Sequence, residues 1–151
     1  MWASSITAYL HYLGFMLAFA ALTVESFNLK QEMTLDEAKR VAFADAAYGV
    51  AATAILITGV LRVLYFGKGA DYYLNNPYFY TKMGVFILIS LFSLYPTFTF
   101  ISWFKDLQKG QSPRLEVTTL NRLSWLIKGE LLGFMLLPLL AAVMARISGV
   151  N

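Results

Sequence analysis

The chain has 151 residues, 58% of them hydrophobic and 14% charged, with a mean hydropathy of +0.59 and a net charge of +3. A soluble domain is about 45–50% apolar and about 25% charged, so this composition excludes a water-soluble globule and a disordered segment. Cysteine is absent, which removes disulfides, iron–sulfur clusters, thiolate metal sites and covalently attached c-type haem.

A membrane-spanning helix needs about 20 mostly apolar residues. The first candidate covers residues 4–29; Met1 to Val24 holds no Asp, Glu, Lys or Arg, and its one titratable side chain is His11. It lacks a basic leader and is long and aromatic, so it reads as a span rather than a cleaved signal peptide. The polar stretch Asn28 to Lys39 follows, and Thr34-Leu-Asp-Glu37 within it reads as a capping box that opens the second helix outside the lipid. That helix is expected over 39–66. Its Ala42, Ala44, Ala46, Ala47, Gly49, Ala51, Ala52 and Ala54 predict a tightly packed centre, because small residues let membrane helices approach closely.

Phe66 to Pro77 carries Gly67, Gly69, Asn75-Asn76 and Pro77, a loop signal. The third helix is expected over 77–104, the charged stretch Lys105 to Pro113 as a connection, and the fourth helix over 118–147. Pro96 and Pro138 are expected to kink the third and fourth helices. The fold class is all-α: an integral membrane four-helix bundle, with residues 1–151 as a single transmembrane domain.

Lys and Arg in short loops set orientation. Lys30, Lys39, Arg40, Lys105, Lys109, Arg114 and Arg122 belong to the first and third connections, against Arg62, Lys68, Lys82 and Arg146 on the other side. Seven against four predicts those connections in the cytoplasm and both termini facing outward, to the periplasm across a bacterial inner membrane. Trp2, Tyr9, Tyr72, Tyr73, Tyr78 and Tyr80 fit an aromatic belt on the outer side. The basic residues flank apolar runs and form no patch interleaved with aromatics, so nucleic acid is not an expected partner.

Ionisable groups at membrane depth cost roughly 2.5–3.5 kcal/mol each on insertion scales, so they default to functional candidates. Counting along each helix sorts them into two layers. His11, Arg62, Lys82 and Met144 fall in the outer half; Glu25, Asp45, Lys128 and Glu130 fall in the inner half. Helical phase agrees: His11 and Glu25, Tyr48 and Arg62, and Glu130 and Met144 are each 14 residues apart, within about 40° of one face.

His11 reads either as a metal, haem or proton site or as a hydrogen-bonded interfacial histidine. As the one histidine of the chain it excludes bis-histidine haem within one subunit and a three-histidine zinc site. A second axial ligand to haem would be Met144, Lys82, water or a residue of another subunit. Lys82 and Arg62 read either as snorkelling anchors or, with Lys68, as a basic rim for carboxylate-bearing ligands. Glu25, Asp45 and Glu130 read either as a proton path or as salt-bridge partners of Arg40, Arg122 or Lys128. No P-loop, GxGxxG, GxSxG or HExxH motif is present.

Leu10-His11, the stretch Ala51 to Leu61, and Tyr80-Thr81-Lys82-Met83-Gly84 carry a resemblance. Over residues 5–105 the layout resembles a superfamily of four-helix bacterial membrane proteins. It includes the HemJ-type protoporphyrinogen oxidases, the copper-resistance D-type proteins and members of no assigned activity. The fourth helix matches only in kind. In the oxidase-type relatives the first-helix histidine and third-helix lysine are the functional pair and haem b is bound, which implies His11 and Lys82 here. The oxidase pattern closes its first helix with a Pro-Arg motif and a further histidine, where this chain has Val24-Glu25-Ser26-Phe27-Asn28-Leu29. That departure weighs against porphyrinogen oxidation itself.

The leading expectation is therefore a haem b-binding inner-membrane protein, in electron transfer or the oxidation of a small lipophilic substrate such as a quinol or porphyrinogen. His11 would ligate the iron, Lys82, Arg62 and Met144 would complete the cofactor site, and Glu25 and Lys82 are the catalytic candidates. The competing expectation is an accessory, assembly or transporter-like bundle without a cofactor. A metal-ion permease is a third reading, weakened by the missing cysteines. A homo-oligomer would bring further ligands to a haem.

Overall fold

The computed structural model describes residues 1–147. Four long helices run antiparallel in sequence order: α1 (Trp2–Asn28), α2 (Leu35–Leu61, continued by a π-helical turn Arg62–Phe66), α4 (Pro77–Ser102) and α6 (Val117–Ile147). Two short helices, α3 (Ala70–Leu74) and α5 (Phe104–Gln108), occupy the second and third connections, where the sequence predicts loops. No strand forms among the described residues; there is one isolated bridge, between Glu32 and Arg114. The ends of the long helices, with the π-helical turn included in α2, lie within four residues of those expected. The widest gap is 39 expected against Leu35 observed.

Local chemistry explains where the helices begin. Thr34 Oγ1 accepts from the Glu37 amide at 3.2 Å, and Glu37 Oε1 accepts from the Thr34 amide at 3.4 Å, so the capping box starts α2 four residues earlier than the apolar pattern does. Asn76 caps α4 by accepting from the Tyr78 amide at 3.0 Å, and Pro77 fills the first helical position, where its missing N–H costs nothing. Pro96 and Pro138 both lie inside helices that continue on either side.

All four long helices are long and apolar enough to cross a membrane. Their outer faces carry exposed Leu, Ile, Val, Phe and Met, among them Leu56, Leu88, Leu91, Leu132 and Leu139. In water such faces would be an aggregation liability; in a bilayer they meet lipid, while the helices satisfy their own backbone groups. The chain is a four-span membrane bundle.

Two helical hairpins build it. α1 packs closely on α2, and α4 on α6; the hairpins meet mainly through α1 and α6, while α2 and α4 barely touch. Gly14 sets the first contact. A Cβ there would lie 3.1 Å from Ile55 Cγ1 and 3.3 Å from the Ala51 carbonyl oxygen, so the small residue lets the α1 and α2 backbones close up. Gly133 does the same for α6, since a Cβ there would overlap the Ile89 side chain of α4. Between the hairpins lie Leu22, Val41, Leu123, Ile127 and Phe134, all fully buried.

The expectation that α2 is the packed centre is corrected. Ala38, Ala44 and Ala51 are buried against neighbours, but Ala46, Ala47 and Gly49 face outward. Small residues permit a close approach; they do not supply a partner on every side.

The end of the bundle with the first and third connections is laced together by polar contacts. Arg114 pairs with Glu32 at 2.9 Å, the Leu115 amide donates to the Gln31 carbonyl at 3.0 Å, and Ser112 Oγ donates to the Met33 carbonyl. Met33 and Leu115 are buried there. At the opposite end Trp2, Tyr9 and Tyr80 are exposed as an aromatic belt requires, but Tyr73 is buried and packs on Phe79 at 5.7 Å. Tyr73 therefore belongs to the protein interior, not to the belt.

Candidate functional site

At the Trp2 end of the bundle, all four long helices and α3 enclose a cavity of about 560 Å³. This lies within the range of small-molecule pockets, roughly 300–1,000 Å³. Its walls are mostly aliphatic and aromatic. Its polar groups are few: His11, Arg62, Lys68, Lys82 and the Tyr72 and Tyr73 hydroxyls among them.

His11 projects from α1 towards α2. Its Nδ1 lies 3.0 Å from Thr58 Oγ1, and that hydroxyl donates to the Ala54 carbonyl at 2.6 Å. A threonine hydroxyl has one proton to give. With that proton given to the helix backbone, the oxygen is left to accept from the ring, and on that ground we assign the hydrogen to Nδ1. Nε2 is then the lone-pair nitrogen in the neutral ring. This is how ligating histidines are usually held, with one nitrogen anchored by an acceptor and the other left for a metal or proton. Gly59 faces the ring: a Cβ there would stand 3.4 Å from His11 Cε1, in van der Waals contact.

The π-helical turn supplies the cations. A π turn adds a residue to the helical circuit and re-aims the side chains beyond it, and such turns recur at functional sites. Here Arg62 opens the turn, lines the cavity and stacks over Tyr12, 5.3 Å from the ring centroid. Ser4 Oγ fixes the far end of the turn by donating to the Phe66 carbonyl at 2.8 Å. Gly67 follows, where a Cβ would collide with the Arg62 carbonyl and the Tyr73 hydroxyl. Lys68 then sits over Tyr72 at 4.8 Å. Lys82, half-buried on the second turn of α4, completes the set.

Among the described residues, none of Arg62, Lys68 and Lys82 is in an ion pair. The cavity thus combines apolar walls, three cations without carboxylates and one oriented imidazole. That chemistry suits an amphipathic molecule with an acidic head. Met144 also lines it, from α6.

The structure therefore brings His11, Arg62, Lys82 and Met144 to one cavity. It does not bring Glu25, Asp45 or Glu130 there. Glu25 follows His11 by 14 positions, about 21 Å at 1.5 Å per residue. Phe134, fully buried, stands between the two layers, 5.5 Å from the Phe15 ring and 6.0 Å from that of Tyr48.

In the second layer Glu25 and Glu130 are each 1% exposed and Asp45 is 7% exposed. Asp45 Oδ1 accepts from Thr97 Oγ1 at 3.0 Å. The expected alternative, salt bridges to Arg40, Arg122 or Lys128, is overturned: none of these cations pairs with the acids. Arg40 and Lys128 face outward, and Arg122 stacks over Tyr95 at 5.5 Å. Thr58, Gly59, Tyr12 and Thr97 were missed in the sequence. No local pattern separates Thr58 from Thr53, which bonds only to its own helix. Among the described residues, no group of three His, Cys, Asp or Glu side chains is arranged to hold a metal ion.

Residues 3–149 match the model of the family described as Predicted membrane protein (DUF2214). The chain belongs to the DUF2214 family. No curated protein and no solved structure matches it. The DUF2214 match agrees with the four spans and the lipid-facing surface. It carries neither a cofactor nor an activity, so the likeness to HemJ-type oxidases bears only on the proposal that follows.

Proposed function

We propose that this DUF2214 protein binds a b-type haem in the His11 cavity and serves electron transfer or the oxidation of a small lipophilic molecule, a quinol or porphyrinogen. The observation that carries the reading is the histidine itself, tied through Nδ1 to Thr58 in an apolar cavity lined by three cations that have no ion-pair partner among the described residues. The donor set fits the group. His11 Nε2 would be the axial ligand, and Arg62, Lys68 and Lys82 would pair with propionates. Met144 or Lys82 is the second-ligand candidate within the chain. Bound haem would supply one-electron redox chemistry tuned by its ligands and by the dry surroundings. The protein's own contribution is to orient the imidazole, neutralise the acidic head and exclude water.

The test is a reduced-minus-oxidised spectrum of protein purified from haem-replete cells. A Soret band that His11→Ala removes is expected. No band, or a band unchanged by His11→Ala, refutes the reading.

A second reading is an accessory or assembly subunit without cofactor. It is favoured by the outward Ala46, Ala47 and Gly49 surface of α2, which none of the described helices covers. Co-purification of a larger membrane partner, with no absorbance beyond the aromatic region, would replace the first reading with this one. On the Lys and Arg balance we also propose that the first and third connections face the cytoplasm of a bacterial inner membrane.

A further inference from the structure

We propose that Glu25, Asp45 and Glu130 form a proton-binding site inside the bundle, separate from the His11 cavity, and that it exchanges with water through Asp45. The argument is one of donors and charges. Glu25 comes from α1, Asp45 and Tyr48 from α2, and Glu130 from α6; α4 adds the hydroxyls of Ser93 and Thr97. Among the described residues, no cation from any element pairs with the acids. Glu25 Oε1 and both carboxylate oxygens of Glu130 are buried without a hydrogen bond of ordinary geometry, although the Tyr48 hydroxyl approaches Glu130. Ionised carboxylates only accept hydrogen bonds. Three carboxylates offer more acceptor oxygens than the hydroxyls around them satisfy, and buried charges without partners are among the costliest arrangements a protein can hold.

A bound proton removes both faults. It converts a carboxylate into a carboxyl with an O–H to give to its neighbour, and it cancels one charge. A metal ion would cancel charge too, but no three acidic or imidazole groups among the described residues converge to hold one. Each binding event moves one proton from hydronium to a carboxylate and leaves water behind; no other reactant is needed.

Asp45 is the member of the set that a surface groove reaches. Asp45 and Thr97 line an open, mostly apolar groove along α1, α2 and α4 that runs from Leu10, Ile57 and Thr58 to Asp36, Lys39, Arg40 and Gln108 at the end bearing the first and third connections. Glu25 and Glu130 do not line it. Inside the bundle, Phe134 and the aromatic packing around it stand between the acids and His11.

The test is infrared spectroscopy of the full chain in liposomes without haem, so that its outcome is independent of the cofactor reading. A carboxylic C=O band at neutral pH that shifts on transfer to D₂O is expected. Part of that band should be lost in Glu25→Gln and in Glu130→Gln. In Asp45→Asn the band should remain but exchange more slowly. The wild-type measurement stands even if a variant fails to fold. Absence of the band, its persistence in both glutamine variants, or its loss on adding sodium at constant pH overturns the proton site. Unslowed exchange in Asp45→Asn overturns the route.

Discussion

Thr58→Val isolates what the second partner of His11 does. The two side chains have almost the same shape, so packing is kept while the acceptor for Nδ1–H disappears. Thr58 is 6% exposed, so no bulk water replaces the lost oxygen. Leaving a buried donor unpaired costs about 1–3 kcal/mol. Removing the hydrogen-bond partner of a metal-ligating histidine weakens metal binding about 10–100-fold. At about 1.4 kcal/mol per tenfold these two figures agree. The assay is titration of the purified chain with haem, following the Soret band, on wild type, Thr58→Val and the control Thr53→Val. Thr53 donates only to the Gly49 carbonyl of its own helix, at 2.8 Å, and is exposed. Thr58→Val should bind about 10–100-fold more weakly than wild type, and Thr53→Val should be unchanged. Equal affinity in Thr58→Val, alongside loss of binding in His11→Ala, would refute the orienting role of the threonine and the assignment of the tautomer.

Two further outcomes follow from single contacts and a third from the charge of the connections. Gly59→Val puts branched carbon against a ring whose Cε1 would already lie 3.4 Å from a simple Cβ; haem titration should show weakened binding while circular dichroism stays that of a folded bundle. Gly133→Ala drives a methyl into Ile89 and should destabilise the α4–α6 contact by about 1–3 kcal/mol, with Ile89→Val restoring part of the loss in a double-mutant unfolding cycle. The chain has no cysteine, so Lys109→Cys and Asp71→Cys report sidedness with an impermeant maleimide. In intact spheroplasts the Asp71 position should label and the Lys109 position should not, and the reverse result would invert the orientation.

The spans were legible because spanning is a property of composition over a window. Twenty apolar residues read as such whatever they pack against, and Thr34 and Glu37 signal a helix start from within four residues. The outer layer was legible for a related reason. Antiparallel helices of similar length turn residue count into depth, which is how His11, Arg62, Lys82 and Met144 came to one height before any contact was known. Contacts across the bundle were not legible. Thr97 meets Asp45 across 52 positions, and Thr58 meets His11 across 47. The acids of the inner layer had cations at the right height, but Arg40 and Lys128 lie on outward faces and Arg122 is engaged by Tyr95. Height is set by counting along the helix, whereas pairing depends on rotation about it, and two or three residues decide which way a side chain turns.

The two layers are complementary in charge and kept apart. Among the described residues, the three cations at the His11 end have no carboxylate partner and the three acids of the other layer have no cation partner. A bundle optimised only for stability would replace such groups by apolar side chains of similar volume, which is often neutral or stabilising even for paired buried ions. Unpaired ones are costlier still. Phe134 and its neighbours keep the layers from neutralising each other, and that separation leaves each layer's charge available to something outside the chain. On the two proposals above, an acidic amphipathic ligand would answer the first layer and protons the second. Phe134→Ala would test whether the insulation matters: a cavity opened there lets water connect the layers, so proton exchange at Glu25 and Glu130 should no longer depend on Asp45. If exchange in the Phe134→Ala, Asp45→Asn double variant remains as slow as in Asp45→Asn alone, the aromatic layer is packing and nothing more.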